Sequence, residues 1–250
     1  MADTDPPIRI IDVLRTSDRL HAKGKPTREY RLPGLNVHAY SKPAHNDSGD
    51  LYALYYLREN KTALFIGDIA GHDFSSAIIA TEVLQYIENN HRRLTEPGDF
   101  LQKIGADMLK KFQSLQRFMT AAVFLFDTSE GNFRLASAGH PASVLYDSAA
   151  GTTEILRLSG FPIGFEEANY ETIGIEFQTG DLLVITTDGV ITAKNEAEEE
   201  FGYDRIERCI KEASGDPAGT LTAIVSEIEK FKITESTLDD CTVLCLKRAG

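Results

Sequence analysis

Four aspartates share one local pattern, in which each follows an apolar or turn segment and stands beside glycine or another small or acidic residue. They are Asp50, Asp68, Asp188 and Asp239. A carboxylate at the end of a buried strand is partly desolvated, which costs free energy unless a cation neutralises it. Because the four lie far apart in sequence, a fold that unites them must bring distant strands together.

Each of these aspartates, taken alone, is most simply a turn or cap residue, since Asp-Gly is a frequent turn. As a set of four they favour a site for divalent cations. Oxygen ligands without well-spaced His or Cys partners point to Mg²⁺ or Mn²⁺ rather than Zn²⁺. The glycines beside them would let a backbone carbonyl approach the ion as a further ligand.

Apolar periodicity predicts an α+β fold in which antiparallel sheets pack face to face with helices outside. Helices are predicted at residues 75–92, after Pro97, at 203–213 and at 218–230. Strands are predicted at residues 35–40, 50–57, 62–68, 119–127, 132–137, 144–146, 153–158, 171–178, 182–187 and 241–247. We divide the chain into an N-terminal extension, residues 1–34, with a short amphipathic piece at 8–20 and a polar stretch at 21–31, and one main domain, residues 35–250.

Composition narrows the classes of function. The formal net charge of −12 and the pI near 5.0 argue against nucleic-acid binding, which relies on clustered Lys and Arg. The apolar stretches are strand-sized, too short to span a bilayer, and the first residues do not form a signal peptide, so we expect a cytoplasmic protein without membrane attachment. The three cysteines, Cys209, Cys241 and Cys245, are expected to be reduced.

Several short segments, read in order, resemble the motifs of the metal-dependent protein phosphatases (PPM family), and in particular those of the bacterial SpoIIE/RsbU-type serine phosphatases. Each segment alone is a weak signal, whereas the ordered set is strong. The resemblance covers residues 35–247. The segments are Ser48-Gly49-Asp50-Leu51-Tyr52, Gly67-Asp68-Ile69-Ala70-Gly71-His72, Ala136-Ser137-Ala138-Gly139-His140-Pro141, Gly160-Phe161-Pro162-Ile163-Gly164, Thr187-Asp188-Gly189-Val190-Ile191-Thr192-Ala193, Phe201-Gly202 and Asp239-Asp240-Cys241-Thr242.

The resemblance implies an α-β-β-α sandwich with two Mn²⁺ or Mg²⁺ ions. Asp68 would bridge both ions, and the Ile69 carbonyl would be a further ligand to one of them. Asp188 and Asp239 would bind the second ion. By the same resemblance Asp50 would ligate the first ion or orient its waters, and Asp240 would support the ligands from outside, in the second shell, or bind a further metal. Asp50 and Asp68 are thereby the expected catalytic residues.

The implied reaction is hydrolysis of phosphoserine or phosphothreonine on a signalling protein by a metal-activated water. By the same resemblance the substrate would be a STAS-domain protein of the anti-sigma antagonist type, and an activator protein or a homodimer would be possible partners. Two alternatives remain open at this point. One is an inactive phosphatase-like module that binds phosphoproteins, and the other is an enzyme acting on small phosphate esters.

Two histidines complete the candidate site. His72 follows the predicted bridging acid and is a candidate for an outer-shell role, with a solvent-facing loop residue as the alternative. Gly139 and His140 form a possible substrate loop, in which His140 more simply fixes the loop by hydrogen bonding than donates a proton. Arg58 and Arg117 are expected to be solvated.

Overall fold

The computed structural model describes residues 9–13, for their backbone, together with residues 27–44, 48–57, 59–71, 74–231 and 239–250. Within these ranges the strands are β1 Arg9–Val13, β2 Thr27–Leu32, β3 Leu35–Lys42, β4 Asp50–Tyr56, β5 Lys61–Ile69, β6 Met119–Asp127, β7 Asn132–Ala138, β8 Ser143–Asp147, β9 Thr152–Leu156, β10 Ile173–Glu176, β11 Leu182–Thr186 and β12 Cys241–Arg248. The helices are α1 Phe74–Asn90, α2 Pro97–Ser114, α3 Asp188–Ile191, α4 Gly202–Glu212 and α5 Pro217–Phe231, with a 3₁₀ turn at His91–Arg93.

The strands form two antiparallel sheets. The first has the order β1-β4-β5-β6-β7-β10, and the second has the order β2-β3-β12-β11-β8-β9. Among the described residues, no helix is both long enough and apolar enough to cross a membrane.

Three apolar clusters separate four layers. One lies between α1, α2 and the first sheet, the second lies between the two sheets, and the third lies between the second sheet and the helices α4 and α5. This arrangement confirms the predicted α-β-β-α sandwich.

The central strands read as almost continuous apolar runs because both of their faces are buried. In β5, Ala63 and Phe65 pack toward the helices, whereas Leu64 and Ile66 pack toward the other sheet. Strand β6 alternates in the same way. Side chains on successive strand residues point to opposite faces, so such a run can fill two apolar layers at once.

The N-terminal segment differs from its predicted pattern where the structure describes it. Residues 9–13 form β1, which pairs with β4, and the predicted polar stretch contains β2, which pairs with β3 along its whole length. Strand β2 lies at the edge of its sheet, and Tyr30 and Leu32 are the side chains that it packs against the core between the sheets. An edge strand with so few apolar residues gives little sequence signal. The rest of residues 1–26, including most of the predicted amphipathic piece, lies outside the described residues.

Phe126 tests the core between the sheets. Its ring lies 5.3 Å from that of Phe133 and 5.8 Å from that of Phe177, measured between centroids, and its side chain is fully buried. We expect Phe126→Ala to lower the free energy of unfolding by about 3–5 kcal/mol, measured by urea denaturation. The control Phe161→Ala removes a half-exposed ring and should change it by less than about 0.5 kcal/mol. Equal effects of the two variants would contradict this description of the core.

Candidate functional site

The four predicted aspartates come from strand ends in both sheets. Asp50 opens β4 and is the cross-strand partner of Asp68, near the end of β5 in the first sheet. Asp188 follows β11 as the first residue of α3, and Asp239 precedes β12, the neighbour of β11 in the second sheet. Coulombic interactions link Asp68 to the other three, so the acids gather at one edge of the sandwich. We call this group the acidic edge.

Asp50 is held by hydroxyl groups from the opposite sheet. Its Oδ2 atom accepts hydrogen bonds from Thr187 Oγ1 at 2.8 Å and from Thr242 Oγ1 at 2.7 Å. Thr187 Oγ1 in turn accepts from the Thr242 backbone N–H at 3.0 Å. Asp50 is 2% exposed, so these bonds replace water that burial removes from its carboxylate.

Asp240 is also buried, and its carboxylate binds backbone rather than facing the other acids. It accepts hydrogen bonds from the N–H of Ala44 at 2.8 Å and from that of Gly49 at 2.7 Å. These contacts fix the backbone of the segment that precedes Asp50.

Two glycines allow the backbone to approach closely at this edge. A Cβ atom at Gly49 would lie 2.3 Å from the Ile69 carbonyl oxygen and 3.2 Å from Asp68 Oδ1. A Cβ atom at Gly189 would lie 2.2 Å from the Asp240 carbonyl oxygen. Any side chain at either position would push apart the segments that carry the aspartates.

Burial and mutual repulsion disfavour the charged forms of two of the acids. Desolvation, followed by the charges of Asp50, Asp188 and Asp239, raises the pKa of Asp68 to about 9. Desolvation and then the charge of Asp239 raise the pKa of Asp188 above its usual value. Desolvation and the neighbouring carboxylates both indicate that the protein itself compensates the negative charge of these acids insufficiently.

These residues fit a site for hard divalent cations. Asp188 Oδ1 is buried and has no hydrogen-bond partner among the described residues, and the Ile69 carbonyl lies in the gap that Gly49 leaves. Within the same residues, no three or more His, Cys, Asp or Glu side chains form a cage that could by itself hold a metal ion. Mg²⁺ and Mn²⁺ do not need such a cage, because hard cations of this kind are often bound by one or two carboxylates and several waters.

His140 does not face solvent, although Gly139 beside it is exposed. The imidazole Nδ1 lies 3.4 Å from Thr120 Oγ1, and Thr120 is the cross-strand partner of Asp68. Burial lowers the pKa of His140 to about 3, so the ring is neutral at physiological pH. A second histidine of the sequence analysis, His72, lies outside the described residues.

Three further residues at this edge received no role from the sequence. Thr187 and Thr242 belong to the family motifs given in the sequence analysis. The sequence signal for their role was a hydroxyl residue in an apolar segment beside a predicted ligand. Arg117, expected to be solvated, is only partly exposed, and its Nε atom would lie 3.5 Å from a Cβ at Gly71.

Comparison with known proteins agrees with this architecture. The family model described as Stage II sporulation protein E (SpoIIE) matches residues 58–249. Phosphoserine phosphatase RsbP of Bacillus subtilis (strain 168) is 25% identical over 161 residues, which are 63% of this chain and 40% of that protein. Phosphoserine phosphatase RsbU of the same organism is 22% identical over 164 residues, which are 65% of this chain and 48% of that protein. The chain thus spans less than half the length of either relative.

Solved structures show the same fold. The SiaA-PP2C domain of Pseudomonas aeruginosa has a TM-score of 0.75 at 20% identity, with 84% of this chain and 85% of that chain covered. The PP2C phosphatase domain of SpoIIE from Bacillus subtilis, with a fragment of its regulatory domain, has a TM-score of 0.73 at 19% identity, with 88% and 64% covered. Since the family match covers most of the chain and the sandwich is that of PP2C-type phosphatases, this chain belongs to the SpoIIE family.

Proposed function

We propose that the chain is a metal-dependent protein serine/threonine phosphatase that hydrolyses phosphoserine or phosphothreonine on a signalling protein. The observation that carries the proposal is the acidic edge, where Asp68 interacts with Asp50, Asp188 and Asp239 in a desolvated setting. Carboxylates gathered in this way against their mutual repulsion are typical of a cation-dependent site. The phosphoserine phosphatases among the relatives support the same class of reaction.

Two Mn²⁺ or Mg²⁺ ions would be held by Asp68, the Ile69 carbonyl, Asp188 and Asp239, with Asp50 as a ligand or as a partner of the ions' waters. When bound, two such ions supply a water activated for attack and charge stabilisation for an in-line displacement at phosphorus. Asp240 supports this set indirectly, since it fixes the backbone of Gly49 against the Ile69 carbonyl.

The other protein side chains of the site position the carboxylates and the loops around them. Thr187 and Thr242 leave the Asp50 carboxylate few orientations, because both hydroxyls bind the same oxygen. His140 is neutral, buried and close to Thr120, so we assign it a structural role in the loop rather than that of general acid.

The substrate and the partners are proposed from the relatives. A STAS-type regulator would be the phosphoprotein, and an activator protein or a second copy of the chain would complete the regulation. A solved structure described as the bacterial stressosome, with a TM-score of 0.60 at 18% identity, adds a fold match from a signalling assembly.

Asparagine variants test the carboxylates. Asp68→Asn and Asp188→Asn should each lower the turnover of p-nitrophenyl phosphate in Mn²⁺ by more than about 100-fold, since loss of outer-shell partners alone costs 10–100-fold. The control Asp204→Asn, on the exposed surface of α4, should retain full turnover. Circular dichroism checks that all three variants are folded. Persistent activity in both site variants would refute the assignment, and wild-type protein inactive over a range of Mn²⁺ concentrations would favour a phosphoprotein-binding module.

Metal binding is measurable without turnover. At a Mn²⁺ concentration about 100 times its Kd, wild-type protein should gain about 2.7 kcal/mol and unfold roughly 5–10 °C higher in a thermal scan. Asp68→Asn should show little of this shift. Without metal the variant should be at least as stable as the wild type, because asparagine replaces a carboxyl group whose ionisation is opposed by burial and by the neighbouring carboxylates. An identical Mn²⁺ shift in both proteins would place the ion elsewhere.

His140 gives a prediction for pH. Its pKa in the folded protein is about 3, below the ordinary value of 6.5, so between these values the unfolded chain binds the proton and the folded chain does not. The free energy of unfolding should therefore fall as pH decreases from about 6.5, by up to about 1.4 kcal/mol per pH unit from this group. Urea denaturation at pH 7, 6 and 5 should show a shallower decline for His140→Gln. Parallel declines would mean that His140 titrates normally.

A further inference from the structure

Two phenylalanine rings lie on the surface beside the acidic edge. Phe161 is 49% exposed and Phe165 is 51% exposed, and their ring centroids are 5.5 Å apart. Phe165 also stacks on the partly exposed Phe118, with 4.9 Å between centroids. We call Phe118, Phe161 and Phe165 the aromatic patch. Large apolar rings gathered at the surface often mark a binding site, because their burial by a partner is favourable.

The loop that carries the two exposed rings is anchored. Tyr170 donates its hydroxyl to the carbonyl of Phe161 at 3.0 Å, and Gln113 Nε2 donates to the carbonyl of Phe165 at 3.0 Å. One of these bonds comes from the same loop and the other from α2. The rings are therefore presented on fixed backbone, which lowers the entropic cost of binding a partner.

The patch continues directly from the acidic edge. Met119 exchanges two backbone hydrogen bonds with Ile163, at 2.8 Å and 2.9 Å, and on its other side it is the cross-strand partner of Ile69. Ala70, which directly follows β5, donates its N–H to the carbonyl of Phe118 at 2.9 Å. The aromatic loop and the proposed ligand Ile69 thus flank one residue of β6.

The spacing suits the chain beside a phosphorylated serine. Phe118 is two residues from Thr120, the partner of Asp68, and two residues of antiparallel strand span about 7 Å. An extended peptide covers about 3.3–3.6 Å per residue. A residue roughly two to four positions from a phosphoserine bound near Asp68 would therefore reach the patch.

A cation lies between the two surfaces. Arg117 precedes Phe118, and its guanidinium carbon would lie 3.6 Å from a Cβ atom at Gly71, in the loop that follows Ile69. The chain as a whole has a formal charge of −12, which repels a phosphorylated segment. A guanidinium at this junction offers local attraction for phosphate oxygens.

We propose that the aromatic patch docks the segment of the phosphoprotein substrate beside the phosphoserine and selects an apolar side chain two to four residues from it. The proposal rests on the proposed phosphatase function and adds the substrate feature that the site recognises. An apolar residue packed against two rings gains free energy that a polar residue does not.

Peptide binding tests the docking surface without turnover. Two fluorescein-labelled peptides that carry a non-hydrolysable phosphonate in place of phosphoserine are compared by fluorescence anisotropy in Mn²⁺, identical except for Leu or Ser three residues before and after the phosphonate. Wild-type protein should bind the Leu peptide about tenfold more tightly, which corresponds to 1.4 kcal/mol. The double variant Phe161→Ser with Phe165→Ser should bind both peptides equally, whereas Phe161→Tyr with Phe165→Tyr should keep the preference. Tyr56→Ser, at the opposite end of β4, is the matched control.

Turnover of p-nitrophenyl phosphate in Mn²⁺ separates the docking proposal from the proposed function. The serine double variant should retain this turnover within about twofold, because the small ester has no flanking residues. A peptide preference without any turnover would support the docking surface and contradict the phosphatase. An unchanged preference in the serine variant would overturn the docking proposal. So would a wild-type dimer that the double variant converts to monomer in sedimentation experiments, since the patch would then join two copies of the chain.

Discussion

The burial of Asp50 between the two sheets is the constraint on which the rest of the site depends. A buried carboxylate costs several kcal/mol unless donors reach it, and here the donors are Thr187 and Thr242 of the opposite sheet. The same bonds therefore join the two halves of the sandwich and orient an acid. Asp240 makes a similar contact between the sheets, because its carboxylate accepts a hydrogen bond from the backbone of Gly49, the residue before Asp50. The contacts that join the two sheets at this edge therefore also hold the acids of the candidate site in place.

Asp68 and Asp188 lie in a different environment from that of Asp50. Asp68 and Asp188 are desolvated, and the neighbouring carboxylates raise the pKa of each. The apolar clusters on both faces of β4 and β5 stabilise the strands that hold this repelling group in place. A bound cation would offset this repulsion, so the feature that opposes the charged forms of these acids is also the one on which the proposed metal site rests.

Sequence patterns predicted the strands that carry Asp50 and Asp68 because β4 and β5 bury both faces and read as apolar runs. Strand β2 was not predicted, since at a sheet edge it contributes little apolar surface. The roles of Thr187 and Thr242 could not be predicted, because they depend on which residue of β4 faces the second sheet, a matter of packing between strands far apart in the chain. Arg117 was expected to be solvated, since nothing in its local sequence indicates that it lies beside Gly71.

Strand β6 adjoins both the proposed docking loop and the proposed ligand Ile69. Met119 pairs with Ile69 on one side and with Ile163 on the other, so the loop that presents Phe161 and Phe165 has the same support as the proposed carbonyl ligand. A substrate segment that packs on these rings would be positioned relative to Ile69 through two hydrogen-bonded neighbours and no flexible linker. Catalysis by positioning is sensitive to displacements of about 1 Å. Holding the docking residues on segments hydrogen-bonded to the strands beside the acids is therefore the arrangement in which contacts outside the acidic edge could contribute to the rate.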